Sequence, residues 1–186
     1  DWIIGKILFR PKKVKDDVEN KEEIEIDKKL KAIHKINKNI DDKSKCVLYS
    51  HGNMGNIYGE NRKVKYLIEL FPDVDFLYYD YTGYGKNKGN PSEKLIYDDI
   101  KNVFFYLIKC GYKPQNIILQ GYSIGCVPTL WLGNYLIQNY EHDFYPKHII
   151  IQSGFSTLNT LLESFIKNNF LLFAIKLFLS PILLCR

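Results

Sequence analysis

Five residues, Gly121-Tyr122-Ser123-Ile124-Gly125, follow directly on the apolar run Asn116-Ile117-Ile118-Leu119-Gln120. A strand that runs at once into G-x-S-x-G predicts a sharp strand-to-helix turn with the serine at its apex. Gly121 and Gly125 leave room where backbones must pass closely. The Ser123 hydroxyl is then exposed at the top of a sheet, at the positive end of the following helix. That place suits attack on a carbonyl carbon and stabilisation of the charge that develops. A bland strand-to-helix turn is the competing account, and the chain upstream weighs against it.

Cys46-Val47-Leu48-Tyr49-Ser50 reads as a second buried strand, running into His51-Gly52-Asn53-Met54-Gly55-Asn56. A His-Gly loop after a strand, upstream of G-x-S-x-G, can aim one backbone N–H at an oxyanion; the residue after the serine aims the other. The expected donors are the N–H groups of Asn53 and Ile124, with Met54 a weaker candidate. His51, Gly52, Gly121 and Gly125 support the motifs. Alone, the loop would be a plain β-to-α connection with Asn and Gly as turn residues. Two motifs in this order, each at a strand end, favour acyl chemistry.

Between them lie Asp75-Phe76-Leu77-Tyr78-Tyr79-Asp80-Tyr81-Thr82-Gly83-Tyr84-Gly85 and Gly89-Asn90-Pro91-Ser92. The order H-G-N, Y-D-Y-x-G-Y-G, G-x-P-S, G-x-S-x-G resembles the α/β-hydrolase superfamily, and within it the branch of protein depalmitoylases and their membrane-associated relatives. The likeness runs from about Ile7, where Ile7-Leu8-Phe9-Arg10-Pro11 is similar to the branch's N-terminal stretch, to about Leu161. The resemblance implies a serine hydrolase acting on acyl esters or thioesters, with a lipidated protein as one substrate class and no cofactor.

Such an enzyme needs a histidine base and an Asp or Glu to orient it, both after the nucleophile in chain order. The four histidines are His34, His51, His142 and His148. The first two precede Ser123, and His51 belongs to the oxyanion loop. The last two fall between the elbow helix and the next strand, so they are expected at the opposite end of the sheet. The catalytic Asp and His are therefore expected to be absent from these residues. The chain reads as the N-terminal two-thirds or so of one hydrolase domain over 1–186, inactive by itself. A fragment, a truncated gene model and a genuinely short protein all stay open. A non-catalytic binding or scaffold protein of the same fold is the second reading.

Strand-helix alternation around these motifs predicts a parallel α/β sheet. Helices are expected over 58–70, from Ser92 to about Gly111 with a buried stripe of Ile96, Ile100, Val103, Phe104 and Leu107, and from the elbow to about Tyr140. Strands are expected at 76–79, 116–120 and 148–153. Residues 16–29 are densely charged and read as an exposed loop, and 30–36 as an edge strand with His34 on its polar face. Asp98 and Asp99 read as solvated residues near a helix start. Residues 156–186 read as an apolar, helical, lid-like segment. Its apolar run from Phe170 to Leu179 is too short to span a bilayer, which takes about 20 residues, though a surface-lying helix stays open.

Composition fits this class. Hydrophobic residues make up 46% of the chain, enough for an ordinary core, and the net charge of +5 is spread over both signs. No basic stripe is interleaved with aromatics, which argues against a nucleic-acid partner. Gly83-Tyr84-Gly85-Lys86-Asn87-Lys88-Gly89 is one residue too long for a dinucleotide fingerprint. His142, Asp143 and His148 lack the support of a metal site. Four cysteines without a C-x-x-C pair suit a reducing compartment, so the expected location is cytoplasmic. The resemblance adds the cytosolic face of a membrane as a surface.

Overall fold

Six strands form one sheet in the order β1-β2-β4-β3-β5-β6. They are β1 (Glu23–Ile26), β2 (Leu30–Lys35), β3 (Lys45–Ser50), β4 (Val74–Tyr79), β5 (Ile117–Tyr122) and β6 (His148–Gln152), with helices α1 (Ile57–Leu70), α2 (Glu93–Lys109) and α3 (Cys126–Asn139) between them. The computed structural model describes residues 9–15, 22–37 and 39–154, without the side chains of 61–63. Of two compact units, Asp1–Gln152 and Ser153–Arg186, the first carries all of these elements. The lid-like segment expected at 156–186 lies outside the described residues.

β3, β4, β5 and β6 run parallel, and β1 and β2 join antiparallel beyond β4. The central strands are mostly apolar because helices cover both faces. Ile33, Val47, Tyr49, Phe76 and Tyr78 pack with Ile57 and Val64 of α1. Leu48, Leu77 and Leu119 alternate with these and are buried on the other face. The stripe of α2 is buried as its spacing predicts, at Ile96, Ile100, Val103, Phe104 and Leu107. Each such side chain contributes about 1.5–3 kcal/mol. Ser92 caps this helix by accepting from the Leu95 N–H, and Asn56 caps α1 through the N–H groups of Tyr58 and Gly59. Tyr97 of α2 stacks on Trp131 of α3 at 4.7 Å. Among the described residues no helix is long and apolar enough to cross a membrane.

Four expectations are corrected. Residues 23–26, expected within an exposed charged loop, form β1; 16–21 lie outside the described residues. Glu23-Ile24-Glu25-Ile26 alternates strictly, which buries Ile26, while Lys31 bridges to Glu23 and Glu25 across the pair. β2 is accordingly not the edge, since β1 covers it. Asp99 is fully buried rather than solvated. It accepts from the N–H and hydroxyl of Thr82 at 2.6 and 2.9 Å and meets Lys29 at 3.6 Å. Burial pushes its carboxyl up, and those partners oppose the shift.

His34 is the fourth. It lies partly buried against Tyr106 and Tyr112, 3.2 Å from the Tyr112 hydroxyl, which itself donates to Asp75 at 2.6 Å. Burial lowers its titration to about 4 from the ordinary 6.5, against the pull of Asp75. The unfolded chain therefore binds a proton that the folded one refuses between those values. Stability is expected to fall by on the order of 2 kcal/mol as pH drops from 7 to 4.5. Urea midpoints of the wild type and His34→Gln across that range check this: the wild type should show the steeper loss, and equal slopes would refute the assignment.

Candidate active site

The sheet reverses direction at β3. The chain leaves β3 to build β4 on one side, then crosses back to build β5 on the other. At such a switch the loops after the two adjacent strands diverge and open a crevice at their C-terminal ends. Ser50 pairs with Gly121 in register. His51-Gly52 and Tyr122-Ser123 therefore emerge side by side, and both motifs stand at one edge.

Ser123 follows β5 directly and begins a short 3-10 turn, Ser123–Gly125, that leads into α3. Its φ is +53°, a conformation costing a residue with a side chain about 1–3 kcal/mol. The flanking positions explain how the turn is accommodated. A Cβ on Gly121 would lie 2.6 Å from the Gly125 carbonyl oxygen; one on Gly125 would overlap the Ser50 carbonyl and lie 2.8 Å from that of His51. Thr129 ties the helix start down by donating to the Gly125 carbonyl at 2.7 Å. Ile124 follows the serine in the first helical turn, where backbone N–H groups have no partner within the helix. Cys126 is buried there, and burial pushes its thiol up.

Across the crevice, Gly52 to Gly55 form a tight turn closed by the Gly55 N–H on the Gly52 carbonyl at 2.9 Å. Asn53 and Met54 are its central residues, and the Met54 side chain is exposed. A Cβ built on Gly52 would stand 2.9 Å from the Tyr122 ring and 3.6 Å from Ser123 Cβ. Glycine is what lets this turn reach the serine.

His51 is buried, with Nδ1 2.7 Å from the Gly52 carbonyl and Nε2 3.4 Å from Asp80 Oδ1. Asp80, fully buried at the end of β4, also accepts from the Ile57 N–H at 2.9 Å. Tyr81 donates to the His51 carbonyl and Tyr84 to Asn53 Oδ1, each at 2.7 Å. Asp80, Tyr81 and Tyr84 were visible in the sequence as a motif, but nothing there assigned them contacts.

The structure thus brings together Ser123, Ile124, Gly121, Gly125, His51, Gly52, Asn53 and Met54. It places His148 apart: that residue pairs with Ile118 near the start of β5, roughly 16 Å along the strand from Ser123 at about 3.3 Å per residue. His142 sits in the 3-10 turn His142–Phe144 before β6. His34 lies on β2. Among the described residues no group of three or more His, Cys, Asp or Glu could hold a metal ion.

No profile of a known protein family matches the chain. Individual relatives do. It is 31% identical over 127 residues to uncharacterized protein R595 of Acanthamoeba polyphaga mimivirus, covering 66% of this chain and 42% of that one. It is 41% identical over 91 residues to alpha/beta hydrolase domain-containing protein 17C of Xenopus tropicalis, covering 47% and 28%. Among solved structures, an alpha-beta hydrolase from Vibrio vulnificus superposes with a TM-score of 0.66 at 23% identity, over 82% of this chain and 52% of that one. The chain is similar in sequence to α/β-hydrolases and has their fold. The mostly parallel sheet and its helices match the fold of those neighbours. The chain spans less than half the length of the curated relatives it matches.

Proposed function

We propose that this protein is a serine hydrolase of acyl esters or thioesters, with an acyl-protein thioesterase that removes lipid from protein as the finer reading. The observation that supports it most is Ser123, held at φ +53° at the end of β5 with the Gly52 turn beside it. In this reading the Ser123 oxygen attacks the acyl carbonyl carbon and gives its proton to a general base. The tetrahedral oxyanion takes hydrogen bonds from the Asn53 and Ile124 N–H groups. Collapse expels the alcohol or thiol, which leaves with that proton, and water then hydrolyses the acyl-enzyme. The thioester and lipidated-protein preference, and action at the cytosolic face of a membrane, rest on the resemblance to the depalmitoylase branch.

A non-catalytic role is the second reading, and one observation favours it. Both ring nitrogens of His51 face other partners, and His148 lies at the far end of β5. None of the four histidines supplies the base. The 186-residue chain expressed alone is therefore expected to exceed water by no more than about 1,000- to 10,000-fold, the residue left when a triad is incomplete. Turnover of about 1 per second or faster by the purified chain would show that a base had been overlooked, with His148 first to test.

Mass spectrometry decides between the readings. The protein in its full encoded length, mixed with a short p-nitrophenyl ester or an acyl thioester, should carry the acyl group on the peptide containing Ser123. Absence of any adduct with both substrates would leave the binding role standing.

A further inference from the structure

The Tyr79-to-Gly85 segment is conspicuous in sequence, yet the proposed chemistry does not use it. Each of its polar side chains nearest the crevice ends on the oxyanion loop. Tyr81 donates to the His51 carbonyl at 2.7 Å. Tyr84 donates to Asn53 Oδ1 at 2.7 Å, and the Arg10 N–H donates to the same oxygen at 2.8 Å. Asp80 Oδ1 faces His51 Nε2 at 3.4 Å and also holds the Ile57 N–H where α1 begins. The rings reinforce the polar contacts: Tyr81 lies 4.4 Å and Tyr84 5.5 Å from the His51 ring, and the two tyrosines meet edge-to-face at 5.3 Å.

We infer that Tyr84 and Tyr81 are positioning residues that clamp the His51-Gly52-Asn53 loop, so that the Asn53 N–H points at the oxyanion beside Ser123. The inference deepens the serine-hydrolase reading and rests on it. The physical case begins with the Gly52–Gly55 turn. The backbone hydrogen bond from Gly55 to Gly52 closes the turn but does not itself set the direction of the central peptide groups. A donor contributes to catalysis in proportion to how well its direction is fixed before the charge develops. Tyr81 fixes the entry to the turn through a carbonyl, and Tyr84 fixes its tip through the Asn53 side chain. A hydrogen bond to the His51 carbonyl just before the turn and another to the side chain of Asn53 at its centre leave it little freedom. Burial pushes both phenols up, so both stay protonated donors over the working pH range. Tyr81 and Tyr84 are themselves buried, which keeps water from competing for the loop.

The same segment explains why a loop from β4 accompanies the two reactive motifs. β4 lies next to β3 in register, with Tyr78 opposite Tyr49. The residues after Tyr79 therefore pass directly behind the loop that leaves β3. The β5 side supplies the nucleophile and the β4 side supplies the support.

Tyr84→Phe removes the hydroxyl and keeps the ring, so it separates the hydrogen bond from the packing. The test uses the protein in its full encoded length, with active sites counted by fluorophosphonate titration. Rate per titrated site on a p-nitrophenyl ester should fall about 10- to 100-fold, less than the roughly 100- to 1,000-fold lost when an oxyanion donor is removed outright. KM should stay within about two-fold, and affinity for a trifluoromethyl ketone, which mimics the tetrahedral state, should fall in step with kcat. Tyr81→Phe should move the same quantities in the same direction. A merely structural role would lower the number of titrated sites and leave the rate per site and the ketone affinity unchanged, and that result would overturn the inference. Hydrogen exchange across residues 51–56 reads the clamp without any activity: exchange should quicken in Tyr84→Phe, and unchanged protection would refute the clamp. If the wild type neither labels nor turns over while exchange still quickens, the hydrolase reading fails and the clamp stands as a structural fact.

Discussion

Ser123→Ala is expected to abolish covalent capture of a fluorophosphonate and to lower acyl-ester turnover by on the order of a thousand- to a million-fold in the protein in its full encoded length. The size follows from what the side chain does in the proposed reaction. Without its oxygen no acyl-enzyme can form, and only the oxyanion donors and substrate binding remain. The strain at φ +53° adds a second signature. Alanine relieves none of it, because it keeps a Cβ at the same backbone angle, so folding stability should change little. Gel-based labelling beside urea denaturation measures both. Labelling that persists in the Ala variant would rule out Ser123 as the nucleophile. Lost labelling with a large loss of stability would point instead to a damaged fold.

Gly125→Ala is expected to be far more damaging to the fold than its single methyl suggests, by about 3 kcal/mol, the upper end of the usual cost of overpacking. The added carbon would overlap the Ser50 carbonyl and stand 2.8 Å from that of His51. Both are main-chain atoms at the end of the central strand, so no side chain can rotate away. Relief requires α3 to lift from β3, which opens the crevice as well. Thr129, anchored on the Gly125 carbonyl, would move with it. Thermal melts of the wild type and variant check this, and a Tm within a degree of the wild type would show that the elbow does not press on β3 as described. Gly59→Ala is the control. Its nearest neighbour is Asn56 Oδ1 at 3.6 Å, and in the first turn of α1 alanine should be neutral or stabilising.

The strands and helices around the two motifs were legible because their signals are local. Ser92 before a 3.6-period stripe, apolar runs ending in Gly-x-Ser-x-Gly or His-Gly-Asn, and Pro128 near a helix start each act within a few residues. The pairing of the two motifs could be expected from their order and from the resemblance. Their contact comes from one register, Ser50 against Gly121, and hydrogen bonding between strands distant in sequence sets it.

Other features were hidden because their causes are distant. Glu23–Ile26 looked like solvated charge; its strand depends on Lys31 and Ile26 finding partners across β2 and in the core. Asp99 has the ordinary look of an acid in a helix's first turns, and only the Thr82 loop folding over it makes burial affordable. His34 follows the alternation of β2, but Tyr106 and Tyr112, more than seventy residues later, enclose its ring and depress its titration. By itself the sequence determined the two strand-end motifs and the local turns that present them, because glycine, cap and period are properties of neighbours along the chain. Only the tertiary structure decided which loops meet, which charges are buried, and that Tyr81 and Tyr84 close on the His51-Gly52-Asn53 loop. Those outcomes depend on strand order and register, which bring together groups that no local pattern relates.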